Sequence, residues 1–449
     1  MNVRPQPIQA SPVDPFVVSV CCWIEGCGFL AHPFVYEYIL SQGAILYNNI
    51  LTLAKQNRRE WQVEVLRETL EKRERQMLAP YALKSGDSQG RKFPENQPVH
   101  RTAFQRDRDR VLHTTAFRRL EYKTQVFVNF EGDYYRTRLT HTLEVSQVGR
   151  SIARALGANE DLVEAICLAH DLGHSPFGHA GESVLNRLME KHGGFDHNQQ
   201  TLRIVTELER RYPGWPGLNL TYETREGIVK HETEYDISDP GAAEYHPELR
   251  GSLEAQIANM ADETAYNAHD LDDGLRSGLI EPEQLAGLEL WQLLCEQIDY
   301  QPEQASFDKM TRHRLIRRLL GLQIMELVKA GGKAIQDAGV QLPEDIQKLD
   351  YNLVRHSDEF AALLRPYKDF LYKNLYRHYR VVRMSRKAEL FLTDLFNAYT
   401  EAPEQLPPSV QSKFDERGMY RAVTDHIAGM TDRYALQEWE RLFRPFTRP

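Results

Sequence analysis

Residues 138–157, RLTHTLEVSQVGRSIARALG, place apolar or small side chains at Val145, Val148, Ile152 and Ala155, a 3–4 spacing that fits one face of a helix and no strand. Gly157 follows where a left-handed C-terminal cap belongs. The same pattern recurs in WQVEVLRETLEKRERQML from Trp61, in RDRDRVLHTTAFRRLEY, in DLVEAICLAHDLG ending at Gly173, and in SLEAQIANMADETAYNAHDLDDGL. Strand-like alternation is confined to TQVFVNF, residues 124–130. The expected fold class is all-α, with at most a short β-hairpin near 124–135. Further helices are expected from Pro282 to Pro449, interrupted by loops around QLPED and EAPEQLPPS. Residues 1–57 begin Pro-rich, continue through a Cys/aromatic stretch and show no sustained period. They are expected to be a poorly ordered extension or a start-site artefact.

A formal net charge of −9 excludes a globally basic nucleic-acid coat, so phosphate binding must come from local clusters. The cysteines, Cys21, Cys22, Cys27, Cys167 and Cys295, are odd in number and scattered outside one group. That argues against a disulfide framework and for a reducing compartment, and a cytoplasmic location is expected. No apolar run approaches the ~18 residues of a membrane span, so no membrane partner is expected.

Six of the 16 histidines fall between positions 141 and 197, where even scatter would put about two. His141 shares a helix face with Val145, Val148 and Ile152 and should point inward. Alone, it would read as a core histidine satisfied by backbone groups. His170 and Asp171, however, end an apolar helix at adjacent positions, able to deliver a nitrogen and an oxygen to one ion. Asp262 lies on a face with Ala258, Ala265 and Tyr266, where a carboxylate is costly unless paired or metal-bound. Two histidines and two aspartates suit one divalent ion, and Mg, Mn, Co, Fe, Ni and Zn remain open. His179 and Glu182, three residues apart at a helix start, can also meet. Glu182 would otherwise read as a carboxylate placed on the helix macrodipole.

His141, then His170-Asp171, then Asp262 resembles the H…HD…D pattern of HD phosphohydrolases. The stretches RDRDRVLHTTAFRRLEYKTQVF, GDYYRTRLTHTLEV, AHDLGHSPFGHAGE, FDHNQQ, ADETAYNAHDLDDG and YKNLYRHYRVV resemble more narrowly the deoxyguanosinetriphosphate triphosphohydrolase family, from about Trp61 to the C-terminus. The resemblance implies metal-dependent hydrolysis of dGTP or several dNTPs to deoxynucleoside and inorganic triphosphate. It implies a metal on His141, His170, Asp171 and Asp262, and a His179/Glu182 pair at the scissile phosphate. His174 and His197 match further active-site histidines that contact phosphate or orient water. Arg138, one turn before His141, would clamp triphosphate oxygens. Gln125 would read the sugar 3′-hydroxyl, Tyr266 would pack on the deoxyribose, and Asp270 would hydrogen-bond the sugar or an adjacent basic group. Each of these substrate-side roles has an ordinary structural alternative.

The expected organisation is an N-terminal helical segment with basic residues (58–135), an HD metal-binding core (136–275) and a C-terminal helical region (276–449). One basic cluster runs from Arg106 through Arg108, Arg110, Arg118 and Arg119 to Lys123; the other is Lys373, Arg377, Arg380, Arg383, Arg386 and Lys387, interleaved with tyrosines. A solvated helix face is the ordinary reading of the second. A dNTP effector site in a homo-oligomer is implied by the resemblance, and weak single-stranded nucleic-acid binding is a third reading. The competing functions are an HD phosphohydrolase acting on nucleoside monophosphates or cyclic nucleotides, and a nucleotide- or single-strand-binding regulator with a vestigial HD site.

Overall fold

Hydrogen-bonded structure among the described residues is almost entirely helical; strand pairing is limited to the isolated bridges Arg91–Thr221, Thr124–Thr137 and Arg210–Gly217. The computed structural model describes residues 64–125, 136–232, 243–301 and 305–446. The chain divides into residues 1–65 and a compact unit from Leu66 to Pro449. The extension expected over 1–57 lies outside the described residues. So does most of the hairpin expected near 124–135, whose flanks are joined by the Thr124–Thr137 bridge.

In chain order, α1 spans Arg67–Met77, α2 Ala103–Leu112, α3 Thr115–Arg119, α4 Arg138–Leu156 and α5 Glu160–Ala169. Then come α6 Gly178–Leu188, α7 His197–Arg203, α8 Tyr222–Val229, α9 Leu253–Ser277 and α10 Glu289–Gln297. The C-terminal part contains α11 Lys309–Ala338, α12 Asp358–Leu371, α13 Tyr379–Glu401, α14 Met419–Ala428 and α15 Asp432–Phe443. Side-chain caps fix several starts: Thr137 accepts from the Thr140 amide, Asn159 from Asp161 and Leu162, and Ser252 from Ala255. Each such cap contributes about 1 kcal/mol. α4 stops at Gly157, which has φ +71°. The expected QLPED and EAPEQLPPS loops instead contain the short helical turns Pro343–Gln347, Pro403–Gln405 and Pro408–Gln411. A proline in the first turn needs no amide partner and is already set at a helical φ, so it starts these turns rather than preventing them.

The apolar face read from α4 is buried as expected. Val145, Val148 and Ile152 join Leu162, Val163 and Ile166 of α5, Ile257 and Ala261 of α9, and Leu327 of α11 in one core. Each large aliphatic in it contributes about 1.5–3 kcal/mol by leaving water. A second core unites Val184 and Leu185 of α6 with Leu392, Leu395 and Phe396 of α13 and Val423 and Ile427 of α14. A third packs the C-terminal half of α9 on α10, α11 and α12. No helix among the described residues is long and apolar enough to cross a membrane.

Candidate functional site

α5 gives way at His170 to a 3₁₀ turn, His170–Gly173, which swings His170 and Asp171 toward α4 and α9. His141 Nε2 lies 2.9 Å from Asp262 Oδ1, and His170 Nε2 lies 3.7 Å from the same oxygen. Asp171 Oδ1 is 3.5 Å from His170 Nε2, and its Oδ2 is 4.0 Å from His141 Nε2. Donor atoms of His141, His170 and Asp262 all fall within 4.8 Å of one another. All four residues are buried. His170 Nδ1 is 2.6 Å from the Cys167 carbonyl, which as acceptor fixes the proton on Nδ1 and leaves a lone pair on Nε2. That Nε2 and Asp171 Oδ2 are buried without a hydrogen-bond partner, and Asp262 Oδ1 faces His141 Nε2. Buried polar atoms are nearly always satisfied, so the His141–His170–Asp262 group fits a divalent cation, while Asp171 lies beside it, outside the set whose donor atoms all fall within 4.8 Å.

Asp171 is held from behind. Arg138 Nη1 donates to its Oδ1 at 2.9 Å, and His174 Nε2 is 3.1 Å from the same atom. Burial alone would raise the Asp171 carboxyl, but His170 and Arg138 hold it well below the usual range. Arg138, expected to face a triphosphate, is buried and bonds Asp171, because one helical turn before His141 is also the turn that meets the 3₁₀ segment.

The His174 contact leads to a second cluster. His174 and His197 stack with ring centroids 3.9 Å apart, and His179 meets His174 edge-on at 5.5 Å. Glu182 lies among them: its Oε1 is 2.9 Å from His197 Nδ1 and accepts the His197 amide at 2.8 Å. Its Oε2 is 3.7 Å from His179 Nδ1 and 3.9 Å from His174 Nδ1. The expected His179–Glu182 approach exists, but His197 is the carboxylate's nearer partner. Burial opposes ionisation of Glu182, yet His197 and His179 hold its carboxyl well below the usual range. His174 is buried, which together with Arg138 and His197 pushes its imidazole well below the usual range. His179, by contrast, keeps 43% of its side chain exposed. His192, the remaining member of the sequence cluster, stacks on Tyr420 elsewhere.

Backbone geometry makes this loop possible. A Cβ on Gly173 would lie 2.1 Å from the His197 carbonyl oxygen, so only glycine lets the turn approach α7 so closely. Phe177 has φ +64° and Gly178 φ +58°; a Cβ on Gly178 would lie 3.1 Å from Arg138 Nη2 and 3.5 Å from the Gln125 carbonyl.

On the sugar-side candidates, Gln125 is buried with its Oε1 unpartnered. Tyr266 meets His141 edge-on, ring centroids 6.2 Å apart. Asp270 is bonded by the Tyr376 hydroxyl rather than by a basic group, and Tyr376 also lies 6.1 Å from Tyr266. Burial raises Asp270 well above the usual carboxyl range.

Three neighbours were not singled out in the sequence. His231 Nε2 is 3.5 Å from Asp262 Oδ2. His269 lies edge-on to His141 at 5.7 Å and bonds Glu144 at 2.9 Å. Arg136 ties Glu144 to Asp272 and Asp273 at 2.9–3.1 Å. The basic residues of α2 are largely neutralised, Arg106 and Arg110 by Glu95 and Arg108 by Asp109 and Asp161. Near α13, Arg377 and Arg383 lie over the exposed rings of Tyr372 and Tyr379.

Comparison with known proteins agrees with this geometry. Residues 138–267 match the HD domain, and residues 354–441 match the phosphohydrolase-associated domain. A deoxyguanosinetriphosphate triphosphohydrolase-like protein of Geobacter sulfurreducens is 52% identical over 375 residues, covering 84% of this chain and 97% of that one. Another such protein, from Deinococcus deserti, is 53% identical over 375 residues, covering 83% and 95%. One from Ralstonia pickettii is 50% identical over 372 residues, covering 82% and 94%. An HD domain with this degree of identity along nearly the whole length of its relatives makes the chain a member of the deoxyguanosinetriphosphate triphosphohydrolase-like family of HD phosphohydrolases.

Proposed function

We propose that the protein hydrolyses deoxynucleoside triphosphates, dGTP or several dNTPs, to deoxynucleoside and inorganic triphosphate. The observation that carries this reading is the 3.1 Å contact between Asp171 and His174, which joins the orphaned donor cluster to the His174–His179–Glu182–His197 cluster. His141, His170, Asp171 and Asp262 would hold one divalent ion, which when bound acidifies water and shields phosphate charge. Water attacks the α-phosphorus and loses a proton to solvent, the bond from phosphorus to the 5′-oxygen breaks, and the leaving alkoxide takes a proton. His179 is the exposed imidazole of the second cluster and supplies that proton. Glu182 orients it, with His197 fixing the carboxylate from the other side. His174 bridges Asp171 and the stack beside the phosphate chain. Arg138 acts through Asp171. Gln125, Tyr266 and Asp270 form the sugar side, and the Tyr376 hydroxyl fixes Asp270. The basic, aromatic surface near α13 is assigned to a dNTP effector or subunit contact.

A panel of dNTPs and NTPs with Mg²⁺, Mn²⁺ or Co²⁺, each with and without a second dNTP, tests the reading. Inorganic triphosphate from dNTPs supports it. Orthophosphate from nucleoside monophosphates, or opening of cyclic nucleotides, replaces it with the other HD chemistry. Binding without turnover makes the protein a regulator.

A further inference from the structure

Two buried charges outside the HD match grip the loop between the two clusters. Lys123 is 2% exposed, and its Nζ donates to the His174 carbonyl and, at 2.9 Å, to the Ala428 carbonyl at the end of α14. Asp432, also 2% exposed, opens α15 within the phosphohydrolase-associated segment. Its Oδ1 accepts the Phe177 amide at 2.9 Å, and its Oδ2 accepts the Thr124 amide at 2.9 Å and the Thr124 hydroxyl. His174 and Phe177, three residues apart, are thus held by two side chains, one 51 residues before His174 and one 255 residues after Phe177.

The grip falls where the backbone is strained. Phe177 is one of the few described non-glycine residues at positive φ, and it enters α6 with no side-chain cap of its own. Such a conformation persists only where its surroundings over-determine it. Burying a lysine and an aspartate is also a poor way to gain stability, since apolar side chains of similar size would serve that end as well. Burial pulls Lys123 down to about 7, Asp432 working against the shift, so the lysine is retained at a cost.

We propose that Lys123 and Asp432 are positioning residues. They hold Phe177 in its left-handed conformation and so aim His174 and His179 at the scissile phosphate, which makes the phosphohydrolase-associated segment a working part of the site. This rests on the dNTP reading for its chemistry and on the hydrogen bonds alone for its mechanics. The Asp432 carboxylate, brought from α15, also satisfies the Phe177 amide, one of the amides at the start of α6 that have no partner within the helix.

The test uses the full chain with Asp432→Asn, Asp432→Ala and the double variant Asp432→Ala/Phe177→Gly. Asp432→Ala is expected to lower kcat about 10- to 100-fold, with KM and bound metal unchanged. Asp432→Asn keeps an acceptor for Phe177 and loses one for Thr124, and falls between that and wild type. Glycine at 177 removes the strain the clamp opposes, so the double variant recovers several-fold in kcat over Asp432→Ala. Hydrogen exchange in the 174–179 peptide speeds up in Asp432→Ala and Asp432→Asn while α4 and α9 stay protected. Unchanged kcat, a kcat loss that tracks metal loss, or no recovery on Phe177→Gly overturns the proposal. Should Asp432→Ala fail to fold, Asp432→Asn and its double variant carry the same comparisons. If the wild-type protein turns over no dNTP, the dNTP reading fails, and the proposal is then judged by exchange at 174–179 and by kcat on the substrate it does use.

Discussion

Whereas His141, His170 and Asp262 are carried by or directly follow helices that share one apolar core, His179 and Glu182 ride on α6, whose apolar face belongs to another. The first core contains Val145, Ile152, Ile166, Ile257 and Ala261. The second sets Val184 and Leu185 against Leu392, Leu395 and Ile427 of the C-terminal helices. On the proposed mechanism, metal retention and proton delivery would therefore be anchored separately, meeting at Asp171–His174. A mutation in one half should spare the readout of the other, and each prediction below attacks or sharpens that separation.

The largest effect belongs to the metal half. His170→Ala or Asp262→Ala should abolish both bound metal and hydrolysis, measured by elemental analysis and triphosphate release; full turnover by metal-free protein would end this account. Next, His179→Ala should keep its metal and lose about 10²–10⁴-fold in kcat. An unchanged kcat would remove the proton donor. Arg138→Ala, at the junction, should weaken metal affinity about 10–100-fold, because it frees Asp171 rather than removing a ligand; a pure KM effect would instead make Arg138 a phosphate contact.

Leu395→Ala, in the second core, should cost about 2–5 kcal/mol in denaturant unfolding without changing metal stoichiometry. The smallest effect is a pH dependence confined to the first core. Glu254, buried at the start of α9, accepts the Leu83 and Asn159 amides, and burial raises it to about 7 from a usual 4.5. Its folded form keeps a proton that the unfolded chain has released, so its contribution is present below 4.5 and lost as pH rises to about 7. Glu254→Gln should raise Tm at pH 8 by about 2 °C or more, the gain vanishing toward pH 4.5; an equal gain at both pH values would contradict the shift.

The all-α fold was legible because α4, α5 and α9 announce their buried faces by 3–4 spacing. The His141, His170 and Asp262 cluster was legible because a histidine ending an apolar helix and an aspartate on an alanine-lined face are costly without a partner. Lys123 and Asp432 were not, since the partners of Lys123 lie 51 and 305 residues away, Phe177 lies 255 from Asp432, and nothing local marks a lysine as buried. His231 follows a helix end alone and carries no pattern. His269 and the acids beside it did leave a signal. Asn267, His269, Asp270, Asp272 and Asp273 are all buried on the C-terminal half of one helix, beside the apolar face of Ala265, Ala268 and Leu271. Buried polar groups at that density need partners, and the structure supplies Arg136, Glu144 and Tyr376.

Gly173 has a consequence for how the chain tolerates change. Any side chain there would strike the His197 carbonyl and the Thr201 amide, pushing α7 away and dragging His197 off Glu182. In a random-mutagenesis screen for proteins that keep their metal but stop turning over, position 173 should therefore appear alongside 179 and 182, although it carries no chemistry at all. Alanine should be no milder there than leucine, because the first carbon already does the damage.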